Sequence, residues 1–245
     1  NIVTNEKIGG LILMQDDAAR EINLVNEFQQ KSKIPLMIGM DAEWGLFQRI
    51  ATAHKFPWAM TLGAIQDKNL IYQMAAKIAE DCKRMGINWD FAPVVDVNTN
   101  PNNPIIGNRS FGSEVSNVTQ SALSYSNGLQ DNNILAAIKH FPGHGDTSTD
   151  SHLDLPVVSH SLERLNSIEL APFKALMDKG IGGVMVAHLY VPSLESGKGI
   201  PASVSKNIVT GVLKEKFGYK GLIITDALNM GAVANKYKPG ELDAL

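Results

Sequence analysis

The residues best suited to chemistry are concentrated in one loop, residues 139–152, which holds three histidines, two aspartates and a lysine. The loop follows a short apolar run at residues 134–138, which predicts a buried strand. Pro142, Gly143 and Gly145 indicate a shaped backbone. A polar loop of this length within a compact domain is usually functional or disordered. Because its side chains are titratable, the pattern favours a functional loop over a solvated connector.

Asp150 and His152 form the most specific pair in this loop. An aspartate two residues before a histidine in a bent loop can accept the Nδ1–H and thereby fix the tautomer. The Nε2 atom is then left to carry a proton to and from a substrate, and the carboxylate stabilises the imidazolium form. The pair therefore indicates general acid/base chemistry.

Asp226 directly follows the apolar run of residues 221–225, at the end of a predicted strand. A carboxylate at this place acts as a nucleophile or base if neighbouring cations keep it ionised. A carboxylate that only accepts hydrogen bonds from loop amides fits this stretch equally well. The stretch alone leaves both interpretations open.

Asp41 and Glu43 present the same alternative after the second predicted strand. Arg49 and Arg109 are candidates for binding a carboxylate, a phosphate or sugar hydroxyls. The alternative for both arginines is a surface ion pair, which contributes little to stability.

His140 and His144 suggest a metal site, because imidazole and carboxylate clusters bind zinc. Their spacing, however, crosses Pro142 and Gly143, so the two rings cannot share a helix face. We therefore expect no metal and no other cofactor. The nucleophile elbow Gly-x-Ser-x-Gly and the Walker phosphate loop are both missing from the sequence.

Composition describes an ordinary globular protein of 245 residues, 44% hydrophobic and 19% charged. A formal charge of −3 provides no basic field for nucleic acid. Cys82 is the only cysteine, which excludes an internal disulfide framework. No apolar run approaches the length that a transmembrane helix needs, so no membrane-spanning segment is expected.

Six units of strand and helix repeat along the chain. The predicted strands are residues 8–14, 35–40, 87–95, 134–138, 181–189 and 222–225. Apolar positions three and four apart predict amphipathic helices between them, as over residues 67–85, where Gly86 is a C-terminal cap. Near-continuously apolar strands alternating with helices predict an α/β fold with a parallel sheet covered on both faces.

Charged or titratable residues follow five of these strands: Asp41, Asp96, Lys139 with His140, His188 and Asp226. An open sheet collects ligand contacts at one switch point, whereas a (β/α)₈ barrel collects them from many strands at one rim. The distribution favours the barrel, although eight strands are needed and six are counted.

These motifs resemble those of family 3 glycoside hydrolases, in the β-N-acetylglucosaminidase branch. The matching segments are residues 139–146, 150–152, 41–43, 88–96, 108–112, 184–188 and 221–230. The resemblance implies a (β/α)₈ TIM barrel in which the six strands are the second to the seventh. The first and last strands would then lie before Asn1 and after Leu245. Residues 1–245 would form one catalytic domain of a longer protein, with a further domain possible.

The resemblance also implies a bacterial exo-acting enzyme that removes terminal β-linked N-acetylglucosamine with retention, for example from peptidoglycan fragments. Its partner would be a small carbohydrate, and either the cytoplasm or the cell envelope would suit it. Asp226 matches the nucleophile, and His152, oriented by Asp150, matches the general acid/base. The residues that match substrate-binding positions are Asp41, Arg49, Arg109, Lys139, His140 and, without a specified role, His188.

One departure separates this chain from many members of that family. They carry Asp-Gln-Glu-Gly-Gly-Arg after the second strand, and here Leu46 replaces the arginine while Arg49 remains. Trp44 in the same stretch suits packing or an aglycone subsite. The resemblance leaves two further functions open: a β-N-acetylglucosaminide phosphorylase, and a sugar-binding fragment without turnover.

Overall fold

A computed structural model describes residues 2–238 and 240–244, and it contains six parallel strands in one sheet. The strands are β1 Gly10–Ile12, β2 Met37–Met40, β3 Trp89–Asp90, β4 Leu135–Phe141, β5 Gly183–Val186 and β6 Leu222–Thr225. They pair in chain order, so each helical connection crosses to the neighbouring strand. The α/β class, the parallel sheet and all six predicted strands are confirmed.

Helices precede, connect and follow the strands. They are α1 Ile2–Asn5, α2 Ala18–Lys31, α3 Ala59–Gly63, α4 Lys68–Arg84, α5 Val115–Gln130, α6 Leu162–Ser167, α7 Ala171–Met177, a π-helix Asn207–Lys216, α8 Gly231–Ala234 and α9 Glu241–Ala244. Asp67 caps α4 by accepting the Asn69 N–H, and Gly86 follows the helix with a φ of +76°. Among the helices described, none combines the length and hydropathy needed to cross a bilayer.

The regular part of β3 is shorter than the predicted strand 87–95. Pro93 has no N–H to donate, so the regular ladder stops at Asp90. The carbonyls of Ala92 and Pro93 still accept hydrogen bonds from Ala137 and Lys139, at 3.0 and 3.2 Å. The segment therefore continues beside β4 and fixes the position of Lys139.

Both faces of the sheet are apolar, as the continuous strand pattern predicted. In β5, Val184 and Val186 pack toward the helices in the main core, whereas Met185 points to the opposite face. On that face Met185 joins Trp89 and Phe91 in a second, smaller cluster.

The sheet is curled, because Leu11 of β1 and Ile224 of β6 line the same cavity. Within the described residues, β1 and β6 are the two ends of the sheet and do not pair with each other. The closed eight-stranded barrel therefore stays a prediction. The curled arrangement nevertheless brings the carboxyl ends of all six strands to one rim.

Candidate active site

A cavity of about 700 Å³ opens at the carboxyl ends of the strands. Its polar lining comes from strand ends and the segments that follow them: Asp41, Glu43, Gln48, Arg49, Arg109, Lys139, His140, His144, Ser151, His152, Thr225, Asp226 and Asn229. Seven of the nine predicted site residues are in this lining: Asp41, Arg49, Arg109, Lys139, His140, His152 and Asp226. The other two, Asp150 and His188, do not line it directly.

Lys139 is the centre of a buried ionic cluster, with a side chain that is 2% exposed. Its Nζ lies 2.7 Å from Asp41 Oδ1 and 2.8 Å from Glu43 Oε1. Burial alone would lower the pKa of Lys139, but these two carboxylates raise it. Burial alone would raise the pKa of Asp41, and Lys139 together with Arg49 lowers it. Arg49 makes its own ion pair with Asp41 Oδ2.

Glu43 receives a bidentate ion pair from Arg109. The distances are 3.0 Å from Nε to Oε2 and 2.8 Å from Nη2 to Oε1. Burial would raise the pKa of Glu43, but Arg109 and Lys139 hold it far below its ordinary value. Sequence reasoning left the role of Glu43 open, and its partners show that it holds two of the predicted sugar contacts in place.

Asp96 is a fully buried carboxylate that sets the tautomer of His140. Its Oδ2 lies 2.7 Å from His140 Nδ1, and Arg109 Nη2 lies 3.3 Å from His140 Nε2. Because an arginine only donates, the contact between Arg109 and Nε2 is a hydrogen bond only when the proton of the ring is on Nδ1, where Asp96 accepts it. The sequence placed Asp96 at a strand end but did not include it in the site, although its position was the available signal.

The same carboxylate accepts a hydrogen bond from the His144 backbone N–H at 2.7 Å. The His144 ring lies between two hydroxyls, with Nδ1 2.6 Å from Thr147 Oγ1 and Nε2 3.2 Å from Ser151 Oγ. Burial, followed by the neighbouring His140, lowers the pKa of His144 to about 4, so the ring is neutral near pH 7. Among the residues described, no three His, Cys, Asp or Glu side chains are grouped as a metal site would need.

His152 and Asp150 form the predicted pair. Asp150 Oδ1 lies 2.8 Å from the His152 Nδ1 and accepts the His152 backbone N–H at 2.8 Å. Partial burial raises the pKa of Asp150, but these hydrogen bonds lower it below its ordinary value. The His152 side chain is 63% exposed and lines the cavity, which leaves Nε2 available to a bound molecule.

Asp226 follows β6 and is partly exposed in the cavity wall. Its Oδ1 accepts the Ala227 N–H at 2.8 Å, and its backbone N–H donates to Val186 O at 2.9 Å. His188 is fully buried behind this segment. Its Nε2 donates to Ala227 O at 3.0 Å, and its Nδ1 accepts from the Ser203 hydroxyl at 2.7 Å.

His188 therefore has protein partners on both ring nitrogens. Burial lowers its pKa, which is consistent with a neutral ring in this position. Its assignment as a sugar contact stays a prediction. The observed contacts hold the backbone immediately after Asp226.

Asp90 is a fully buried carboxyl group that the sequence did not single out. Its Oδ1 accepts the Ala42 N–H at 2.9 Å, whereas Oδ2 has no hydrogen-bond partner. Burial raises the pKa of Asp90 to about 8, despite the opposing effect of Lys139. Asp90 is therefore mainly uncharged at neutral pH, in contrast to Asp41 and Glu43, whose pKa values are lowered by their cations.

Comparison with known proteins connects this arrangement to a family. The sequence matches the glycosyl hydrolase family 3 N-terminal domain over residues 1–244. The chain belongs to glycosyl hydrolase family 3. The predicted membership is thereby confirmed over essentially the whole chain.

Known proteins resemble the chain in both sequence and structure. "Beta-hexosaminidase A" of Pseudoalteromonas piscicida is 37% identical, over 97% of this chain and 44% of that protein. A family 3 β-N-acetylglucosaminidase from Paenibacillus sp. str. FPU-7 is 38% identical with a TM-score of 0.93, over 99% of this chain and 48% of that one. The β-glucoside phosphorylase BglX is 28% identical with a TM-score of 0.87, over 91% of this chain and 42% of that one. The chain thus spans about half the length of these proteins.

Proposed function

We propose that residues 1–245 form the catalytic domain of a longer, retaining exo-β-N-acetylglucosaminidase. The observation that carries the proposal is a single cavity lined by Asp226 and by His152, whose ring is held by Asp150. The likeness to β-hexosaminidase A and to the Paenibacillus β-N-acetylglucosaminidase supports the sugar and the reaction. The peptidoglycan source of the substrate stays a prediction, since no residue described here selects an aglycone.

In the first step Asp226 attacks the anomeric carbon and forms a covalent glycosyl-enzyme. The bond from that carbon to the aglycone oxygen breaks, and His152 Nε2 gives its proton to the departing oxygen. Asp150 stabilises the imidazolium before this transfer and keeps the ring oriented through Nδ1. A histidine here replaces the second carboxylate that most glycosidases use.

In the second step His152 is the neutral base. Its Nε2 takes a proton from a water molecule, whose oxygen attacks the anomeric carbon and releases Asp226. Two inversions at that carbon restore the β configuration of the sugar. The first-formed N-acetylglucosamine is therefore the β anomer.

The ionic cluster around Lys139 is suited to holding the sugar ring. Asp41 and Arg49 are each about one-fifth exposed toward the cavity, so they can exchange hydrogen bonds with hydroxyl groups. Arg109, Lys139 and His140 are fixed by carboxylates before any ligand binds. Because their orientation is set during folding, little entropy is lost when the sugar binds.

Replacing the nucleophile tests the proposal. We expect Asp226→Asn in the complete protein to lower kcat for an aryl β-N-acetylglucosaminide by at least about 10³-fold, because loss of a covalent nucleophile commonly costs that much or more. Asp178→Asn is the matched control, since Asp178 is an exposed partner of Lys174 on α7. Normal turnover by Asp226→Asn would refute the assignment, as would an α anomer seen first by NMR.

Phosphorolysis is the second candidate function, and it is supported by the likeness to the β-glucoside phosphorylase BglX. A neutral histidine base repels a phosphate nucleophile less than a carboxylate base does. Turnover with and without phosphate separates the two reactions. Appearance of N-acetylglucosamine-1-phosphate as the main product would replace hydrolysis by phosphorolysis.

A further inference from the structure

We infer that Gly231 and Ala232 are positioning residues, whose backbone N–H groups hold the acid/base arm in its working place. The acid/base arm is defined here as residues 150–153, which carry Asp150 and His152. The inference rests on the proposed function, because it concerns how the proton donor of that reaction is held.

The acid/base arm has little side-chain packing of its own. The side chain of His152 is 63% exposed, and that of Leu153 is 73% exposed. Its backbone is instead bound by the segment that follows the nucleophile. Gly231 N–H donates to His152 O at 3.1 Å, and Ala232 N–H donates to Ser151 O at 3.2 Å.

The approach of the two segments is close enough to require a glycine. A Cβ at position 231 would lie 2.7 Å from the carbonyl oxygens of both His152 and Leu153. Both contacts are with backbone atoms, so an added methyl group must displace the arm or its support. The φ of Gly231 is not positive, so alanine can adopt the same backbone angles. A substitution there tests the close contact rather than the backbone conformation.

A second anchor holds the arm from the cavity side. Thr147 Oγ1 donates to the His144 carbonyl oxygen at 3.1 Å, which leaves it free to accept the His144 Nδ1–H. His144 Nε2 then accepts the hydroxyl proton of Ser151, at 3.2 Å. The side chain of Ser151 is thus held by His144, and its carbonyl by Ala232.

These contacts connect the two catalytic residues through a short path. Only four residues separate Asp226 from Gly231, and Gly231 is bonded directly to the carbonyl of His152. The position of the proton donor His152 is consequently set by the segment that carries the nucleophile Asp226. A displacement at this contact should impair proton donation specifically, while attack by Asp226 is retained.

Leaving-group dependence tests this inference in the complete protein. The dinitrophenolate group of a dinitrophenyl β-N-acetylglucosaminide leaves without being protonated, whereas the phenolate group of a phenyl glycoside needs a proton from an acid. We expect Gly231→Ala to lower kcat/KM about 10²-fold for the phenyl substrate, as a small misplacement of a catalytic group does. For the dinitrophenyl substrate kcat/KM should stay within about 3-fold, since that step needs no proton donor. With the same substrate, the kcat of Gly231→Ala should fall, because the second step still needs His152 as a base. Azide should restore this kcat, because it attacks the glycosyl-enzyme without a base.

Gly211→Ala is the matched control, because a Cβ at that position meets nothing within 4 Å. His152→Ala should show the Gly231→Ala pattern at its full extent. If Gly231→Ala fails to fold, Ser151→Ala removes the hydrogen bond to His144 and should give the same separation between substrates. An equal loss on both substrates, or a loss that azide leaves unchanged, overturns the inference.

The two proposals fail in different ways. If the unmodified protein cleaves neither substrate, or His152→Ala retains full activity on the phenyl glycoside, the proposed function is wrong and this inference falls with it. If His152→Ala shows the leaving-group pattern while Gly231→Ala and Ser151→Ala match Gly211→Ala, only the positioning role is wrong.

Discussion

Asp90 is a buried acid that lies below the charged cluster and lacks a cation of its own. Burial has the largest effect on its pKa and raises it, Lys139 lowers it, and Asp41 and Glu43 raise it further. The folded-state pKa is about 8, against 3.8 for an ordinary aspartate. Between these values the folded protein binds the proton and the unfolded chain does not. The free energy of unfolding therefore falls as pH rises through this window, by up to about 1.4 kcal/mol per pH unit for this group.

Asp90→Asn removes this dependence, because asparagine keeps the shape and the acceptor for the Ala42 N–H. We expect the variant to match the parent protein within about 1 kcal/mol near pH 4, where Asp90 is neutral in the folded protein and still partly protonated in the unfolded chain. At pH 9 the variant should be the more stable protein. Urea unfolding at both pH values measures the difference, with the exposed Glu215→Gln as control. Parallel pH dependences for Asp90→Asn and the parent protein would contradict the expectation.

At this scale the sequence predicted the residues that line the cavity better than those that support them. Local spacing indicated the pair of Asp150 and His152, whereas Asp226 was left open by its own stretch and was assigned through the family resemblance. Glu43 and Asp96 were not assigned, because their partners are distant in sequence: Arg109 is 66 positions after Glu43, and His140 is 44 positions after Asp96. Only the pairing of strands brings such groups together.

Among the elements, α4 and α5 approach each other closely at Gly128. A Cβ there would lie 2.4 Å from Tyr72 O and 2.7 Å from Ala75 Cβ. Alanine is favoured over glycine within a helix by about 1 kcal/mol, but overpacking a tight contact costs about 1–3 kcal/mol. The first clash is with a backbone oxygen, so the packing cost should exceed the gain.

We therefore expect Gly128→Ala to lower the free energy of unfolding by up to about 2 kcal/mol, the difference between these effects. Gly211→Ala lies in the π-helix with open space around it and should be neutral or stabilising. Urea denaturation of both variants measures the two changes. A stabilised Gly128→Ala protein would show that the helices separate at little cost.

The sequence predicted which elements exist more reliably than where they end. The helix predicted over residues 67–85 is α4, Lys68–Arg84, because its cap and apolar spacing are local signals. The strand predicted over residues 87–95 was too long, since Pro93 interrupts the ladder while β4 still pairs beside it. Strand ends depend on neighbours, and the neighbours are not visible in a local pattern.

For the whole molecule, the open sides of the curled sheet are the most consequential feature. β1 and β6 end the sheet among the described residues, and each carries an exposed apolar side chain, Ile12 at 59% and Leu222 at 47%. Unpaired strand edges with apolar side chains promote association between chains. We expect residues 1–245, expressed alone, to self-associate through these edges.

Leu222→Lys should shift this polypeptide toward the monomer, because a charged side chain on an edge strand disfavours strand pairing between molecules. Sedimentation velocity at several concentrations measures the change. Leu70→Lys is the control, since Leu70 is 51% exposed on α4, away from the sheet edges. A monomeric parent polypeptide, or equal effects of both lysines, would contradict the expectation.

The sequence predicted the parallel sheet, its helices and a site built at one rim from several strands. It also predicted the family, because several motifs occur in the right order along the chain. The closed barrel could not be derived, since closure depends on strand pairing at both edges of the sheet. The charge balance of the cavity was likewise invisible, because it depends on which loops meet.

The Asp96 carboxylate has a thermodynamic consequence for ligand binding. One oxygen accepts from the ring of His140, in the ionic cluster, and the other accepts from the backbone of His144, which holds Ser151 of the acid/base arm. The ring of His140 and the arm are thus both positioned by one carboxylate before any ligand binds. A single buried anion therefore preorganises both parts of the proposed site, so less order has to be gained when a ligand binds.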